Sequence, residues 1–221
     1  MKRRWIISFV LLIVAGLIFV FVPPQREPSY DGKTLSEWIK RSHYLYPLSP
    51  PYISVEQSLE FFETRPEWQE CRVAFQAMKK EALPILDEWV QAKDSTFKQE
   101  LKAFGIPVGN GPSAYGFHLW AAQGFLMLGA DAEPSIPLLL KMTEDKDYER
   151  KIYGMVCLRL IRPPKNILFP VLTRLLRDSD PEISEKAAQF ILSLYQDEAK
   201  TLKICEQFPN LCDTNGVSRV H

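Results

Sequence analysis

The chain has no surplus of charge: 27 basic residues face 27 acidic ones among 221. Three of the basic residues, Lys2, Arg3 and Arg4, sit at the extreme N-terminus, which leaves the remainder slightly acidic. A nucleic-acid binder carries a basic face, so nucleic acid is excluded as a partner class. No H-E-x-x-H or C-x-x-C spacing occurs, which removes support for a zinc site, and no G-x-S-x-G turn presents a serine nucleophile. Of three histidines, His43, His118 and His221, only His118 lies in an apolar helical context, where packing explains it better than ligation. Almost no stretch alternates apolar and polar residues with a period of two, so no sheet is expected. No catalytic, metal-binding or cofactor-binding set is expected from this inventory.

One nucleotide motif is present in fragment. Gly32-Lys33-Thr34 matches the end of a phosphate-binding loop, but the first glycine of that pattern would fall on Glu27, and no buried strand precedes it. Thr34 and Glu37 instead form T-x-x-E ahead of Leu35, Trp38 and Ile39, which predicts a capping box at a helix start. Nucleotide is therefore not an expected ligand.

What the chain does have begins with "WIISFVLLIVAGLIFVFV", residues 5–22, an uncharged run behind a basic cluster. As a helix it spans about 27 Å, close to the hydrocarbon thickness of a bilayer. The basic cluster orients it with the remainder across the membrane. A cleavable signal sequence is the competing reading, with a shorter apolar core and small residues at its end. This run ends in bulky residues and Pro23-Pro24, which favours an uncleaved anchor over 1–22. Residues 23–33 then read as a short proline-rich extended spacer.

From about residue 66 the chain repeats itself. Helix, break, proline and second apolar helix recur near 66–94, 116–147 and 148–180, and a fourth unit near 181–208 lacks the proline. Pro137 and Pro170 are 33 residues apart, and Leu128, Leu160 and Leu194 follow at spacings of 32 and 34. A period in the thirties with two helices per unit predicts an α-solenoid, whose stacked units share one core. Pro84, Pro137 and Pro170 are expected near the starts of second helices. Asp180, Pro181 and Glu182 predict an N-cap, a first-turn proline and a favourable charge at the positive end of the next helix. Between the first two units an insertion carries a helix over "STFKQELKAF" and an irregular stretch, "GIPVGNGPSAYG".

The segments "YDGKTLSEWI", "LGADAEPSIPLLLKM" and "RDSDPEISEKAAQFIL" together resemble HEAT repeats, specifically the bacterial membrane-anchored HEAT-repeat proteins, over about residues 30–208. The sequence departs from that pattern at Ser184, where arginine is usual, and at Lys79-Lys80, where a glycine-containing turn is usual. The expectation is an all-α protein: a single N-terminal transmembrane helix, then a short α-solenoid of HEAT-like hairpins over 34–210, and a tail over 211–221. What the resemblance implies is a non-catalytic scaffold that binds a protein partner, on the extracytoplasmic side of a bacterial inner membrane. The alternative is an enzyme-like HEAT protein resembling the bilin lyases, which would need a deep pocket with a histidine or carboxylate for a chromophore.

Second helices of such arrays line the concave side. Glu88, Lys141, Arg174 and Arg177 on those helices are the candidate partner contacts. Trp38, Trp68, Trp89 and Trp120 are expected in the core. Cys71 and Cys157 read as small buried hydrophobes, whereas Cys205 and Cys212 flank a turn-forming stretch and form a candidate disulfide for an oxidising compartment.

Overall fold

The structure is a computed structural model that describes residues 27–45, 65–93 and 112–212. The candidate anchor at 5–22 and the insertion helix lie outside them. Among the described residues no helix is long and apolar enough to cross a membrane.

The chain enters through a minimal hairpin, β1 (Ser29–Tyr30) antiparallel to β2 (Lys33–Thr34). Asp31 and Gly32 both take positive φ, 48° and 73°, as a two-residue turn matched to strand twist demands. The end of the expected extended spacer is thus folded back on itself by Asp-Gly, and the expectation of no sheet is corrected by this one pair of short strands. The capping box is present as a reciprocal pair. The Thr34 amide donates to Glu37 Oε2 at 2.7 Å, and the Glu37 amide donates to Thr34 Oγ1 at 3.4 Å. Helix α1 (Leu35–Leu45) follows and buries Leu35, Trp38 and Ile39 completely.

The unit near 66–94 differs from its expected hairpin. Residues Pro66–Trp89 form one continuous helix, α2, with Pro84 inside it. The buried positions Cys71, Ala74, Phe75, Met78, Ala82, Ile85 and Leu86 keep helical spacing straight through the expected break. Lys79 and Lys80 are good helix formers, and Pro84 is exposed, so the lost hydrogen bond to the Lys80 carbonyl falls on the solvent side.

The next units keep the helix–break–helix form. Helix α3 (Ala114–Leu128) is capped by Ser113, whose hydroxyl accepts from the Gly116 amide at 3.2 Å. That cap makes Ala114–Gly116 helical, although they close the stretch expected to be irregular. Gly129 ends α3 at φ 53°, a 3-10 helix runs Gly129–Ser135, and α4 (Ile136–Met142) begins with Pro137 in its first turn. Helix α5 (Tyr148–Ile161) starts at an Asp147 cap and ends at left-handed Arg162. In α6 (Lys165–Leu175), Pro170 stands mid-helix rather than at the start, again exposed. Helix α7 (Pro181–Leu194) begins with the Asp180 cap, which accepts from the Glu182 amide at 2.9 Å. The second half of the fourth unit breaks into α8 (Gln196–Thr201), α9 (Ile204–Gln207) and a 3-10 turn at Pro209–Leu211. Leu211 and Cys212, which open the expected tail, are buried.

Helices pack in a regular succession. Helix α1 lies on α3, α3 on α5, and α5 on α7, while α2, α4 and α6 pack on α3, α5 and α7 respectively. Small residues permit this closeness: Ala121, Ala122, Ala187 and Ala188 are all buried. One core runs through the row, from Trp38 and Trp68 through Phe75 and Phe125 to Leu158 and Ile191, and half-buried Trp120 packs on its edge. Ion pairs tie elements about thirty positions apart, Lys151–Asp178 at 2.7 Å, Arg174–Glu144 at 2.8 Å, Arg41–Glu70 and Lys165–Glu198, and Lys79–Asp131 at 2.8 Å spans 52 positions across the insertion.

Candidate functional site

The four candidate contact residues all fall at the C-terminal ends of α2, α4 and α6. Glu88 is in the last turn of α2, Lys141 in that of α4, Arg174 in that of α6, and Arg177 in the turn just after it. All four are exposed, but they are not equivalent. Arg174 donates from Nη1 to Glu144 and from Nη2 to Thr143 Oγ1, each at 2.8 Å. Thr143 is buried and itself donates to the Leu140 carbonyl at 2.7 Å. Arg174 is thus a brace, or clamp, between the ends of α4 and α6. Nothing in the sequence marks Thr143 as the anchor of that clamp, because threonine at a helix end has many uses.

The turns beside this clamp repeat a second device. The Asp147 amide donates to Asp145 Oδ1 at 3.1 Å, and 33 residues on the Asp180 amide donates to Asp178 Oδ1 at 3.0 Å. The second aspartate of each pair then caps the following helix. Amide hydrogen bonding, led by Asp147, holds the Asp145 carboxyl below its usual range. Around Asp178, burial acts to raise the carboxyl, but the hydrogen bonds from Lys151 and the Asp180 amide, with nearby cations, bring it below the usual range. These acids hold the turns and the helix starts in place.

A group of polar side chains is enclosed around α2, α3 and α5. His118 is buried, and its Nε2 lies 2.9 Å from the Ala92 carbonyl. A carbonyl only accepts, so Nε2 carries the proton and ties α3 to the end of α2. The other face of the ring meets Tyr153, with centroids 4.5 Å apart. Gln123 is fully buried with neither amide atom hydrogen-bonded to protein. Burial pushes the Asp87 carboxyl upward, and burial followed by the charge of Asp87 pushes the Cys157 thiol far upward. Burial likewise raises the Cys71 thiol to about 11. Protonated thiols are poor nucleophiles, so these cysteines behave as core residues. Among the described residues no group of His, Cys, Asp and Glu could hold a metal ion.

Two cavities bear on ligand binding. An open groove of about 470 Å³ lies between the hairpin and α2, lined by Tyr30, Asp31, Trp38, Glu70 and Val73. A smaller one of about 220 Å³ lies where α3 and α5 end, beside Trp68 and Arg72. His118 lines neither, and Glu70 in the larger groove is paired with Arg41. At the far end of the row a disulfide joins Cys205 and Cys212 with Cα atoms 5.6 Å apart, while Cys71 and Cys157 are free and buried. Compared with known proteins, the chain matches no family model, no curated protein and no solved structure.

Proposed function

We propose that the chain is a non-catalytic protein-interaction module: a short α-solenoid of HEAT-like units, held at a bacterial inner membrane by residues 5–22, with its helical body on the extracytoplasmic side. The observation that carries this reading is the unbroken succession of packed helices, each unit lying against the next and braced to it across about thirty residues. Such an array offers an extended surface from many elements and leaves its chemistry to be supplied by a partner. Among the described residues, Asp145, Asp147, Asp178 and Asp180 are tied down in turns, caps and braces, and the thiols of Cys71 and Cys157 are buried and raised by that burial. The Cys205–Cys212 bridge suits an oxidising compartment, in agreement with the orientation set by Lys2, Arg3 and Arg4.

The contact surface is the set of C-terminal ends of α2, α4 and α6. There Glu88, Lys141 and Arg177 are exposed and make no ion pair with another described residue. The test is a photo-crosslinking amino acid at Lys141 or Arg177 of the full chain in intact cells, with Lys200 on α8 as the reference position. A discrete protein adduct from the first two positions and none from the third is the expected result. Equal labelling at all three, or none at any, would discard this surface.

A further inference from the structure

Among the described residues, the exposed large hydrophobics are Tyr30, Val73 and Tyr115, and the first two line the same 470 Å³ groove. Tyr30 is 37% exposed at the hairpin and Val73 is 50% exposed on α2. Apolar side chains gathered at one open site, rather than scattered singly, mark a surface that meets something less polar than water.

The covalent chain limits what that can be. Six residues, 23–28, separate the end of the apolar run from β1. Fully extended they reach at most about 22 Å, and about 5–8 Å of that is taken up by the headgroup layer. Helix α2, with 24 residues, is itself about 36 Å long, more than the tether. The tether therefore holds the body within about 15 Å of the headgroups, and the part brought nearest is the hairpin with the groove behind it. Tyrosine, with an apolar ring and a polar tip, suits the boundary between hydrocarbon and water.

Charge on this face selects among surfaces. Lys33 lies over the Trp38 ring at 4.8 Å, Lys40 over the Trp120 ring at 5.3 Å, and Arg41 pairs with Glu70. Over 27–41, Glu27, Asp31 and Glu37 balance these three cations, and over 65–72 Glu67 and Glu70 balance Arg65 and Arg72. A face without excess charge does not need anionic lipid to attract it.

We infer that the hairpin–α2 groove, through Tyr30 and Val73, rests on the headgroup region of the bilayer that holds the anchor, whatever the net charge of its lipids. This deepens the proposed function and rests on residues 5–22 being a membrane anchor. The contact fixes the direction in which the helical row leaves the membrane, and so presents the ends of α4 and α6 to a partner.

The test uses the full chain in phosphatidylcholine vesicles, with a nitroxide at V73C or Y30C and a reference at K146C on the α4–α5 turn. Cys71 and Cys157 are buried and stay unlabelled in the folded protein. Lipids carrying nickel on their headgroups should relax the labels at 73 and 30 several-fold faster than the label at 146, and added anionic lipid should leave that ratio unchanged. Flotation separates the two layers of the argument. A chain that floats with vesicles but shows equal relaxation at all positions refutes the contact and leaves the anchor standing. So does dipolar broadening between labels at 73 without a nickel effect, which would assign the groove to a second copy of this chain. A chain that does not float refutes the anchor, and the contact with it.

Discussion

Gly154 lets α5 approach the end of α4 closely, and adding one methyl group there tests that packing directly. A Cβ at this position would lie 2.9 Å from the Leu139 carbonyl oxygen, 2.9 Å from Met142 Cβ and 3.1 Å from the Thr143 amide nitrogen. Two of those neighbours are backbone atoms at the end of α4, which cannot rotate away. Nor can that end retreat easily: Leu139 and Met142 are fully buried, and Thr143 is gripped by Arg174. Replacing glycine by alanine inside a helix gains about 1 kcal/mol of backbone entropy. Overpacking a tight interface costs about 1–3 kcal/mol, and the backbone contact argues for the upper part of that range. Gly154→Ala should therefore lose about 1–2 kcal/mol and lower the melting temperature by about 3–6 °C in a domain of this size. Thermal melts of the chain, followed by circular dichroism, measure it. Gly124→Ala is the internal comparison, since its new methyl meets the flexible end of Leu86, at 2.5 and 2.7 Å, and should cost less. A Gly154→Ala protein that melts at or above the wild-type temperature would mean that α4 and α5 do not approach as described.

Pro84→Ala should stabilise the chain by about 1 kcal/mol or more, because an exposed proline inside a continuous helix gives way to a better helix former and restores a hydrogen bond to Lys80; a neutral or negative effect in the same melts would favour a helix start at that point. Asp178→Asn should flatten the acid limb of stability. A carboxyl held low in the folded state contributes above its unfolded value near ~3.9, and that contribution is lost as pH falls through the lower folded value; an unchanged acid limb would remove the Lys151–Asp178 pair from the account. Opening the Cys205–Cys212 bridge should cost about 2–3 kcal/mol from so short a loop. Thiol labelling of the unfolded chain should find Cys71 and Cys157 without reductant and all four cysteines with it, and labelling of all four without reductant would show that the bridge is not formed.

What could be read from the sequence was what depends on neighbours along the chain. Thr34 with Glu37, and Asp180 with Pro181 and Glu182, announce helix starts because a cap is satisfied within three residues. The breaks after Leu128 and Ile161 follow from local chemistry as well, and the break at Gly129 coincides with a left-handed φ of 53°. Proline misled where its effect depends on which side of a helix faces water. Pro137 opens α4 as expected, whereas Pro84 and Pro170 stand inside α2 and α6 on exposed positions, where solvent can serve the orphaned carbonyl. A repeat aligned on prolines thus places a break in α2 that the buried stripe does not need. The Asp31-Gly32 turn was legible in principle, since Asp-Gly between short extended segments is a hairpin signal, but a stretch read as an extended spacer hides it.

The candidate surface divides along the same line. Arg174 and Arg177 stand three residues apart in "TRLLR" and look alike in sequence, yet one is committed and the other is not. The difference is made by Glu144 and Thr143, thirty and thirty-one positions away, which meet Arg174 because α4 and α6 end side by side. Similar separations, 27 and 33 positions, recur in Lys151–Asp178 and Lys165–Glu198, so charges about thirty positions apart are consumed in joining helices. Removing the braces from the inventory leaves a shorter set in which Glu88, Lys141 and Arg177 stand out by having no internal duty. Those are the charges whose replacement should cost little stability, since exposed unpaired residues contribute little to folding. A loss of partner crosslinking on replacing them, with unchanged melting, would then report on recognition, whereas the same loss on replacing Arg174 would not separate recognition from the joint between α4 and α6.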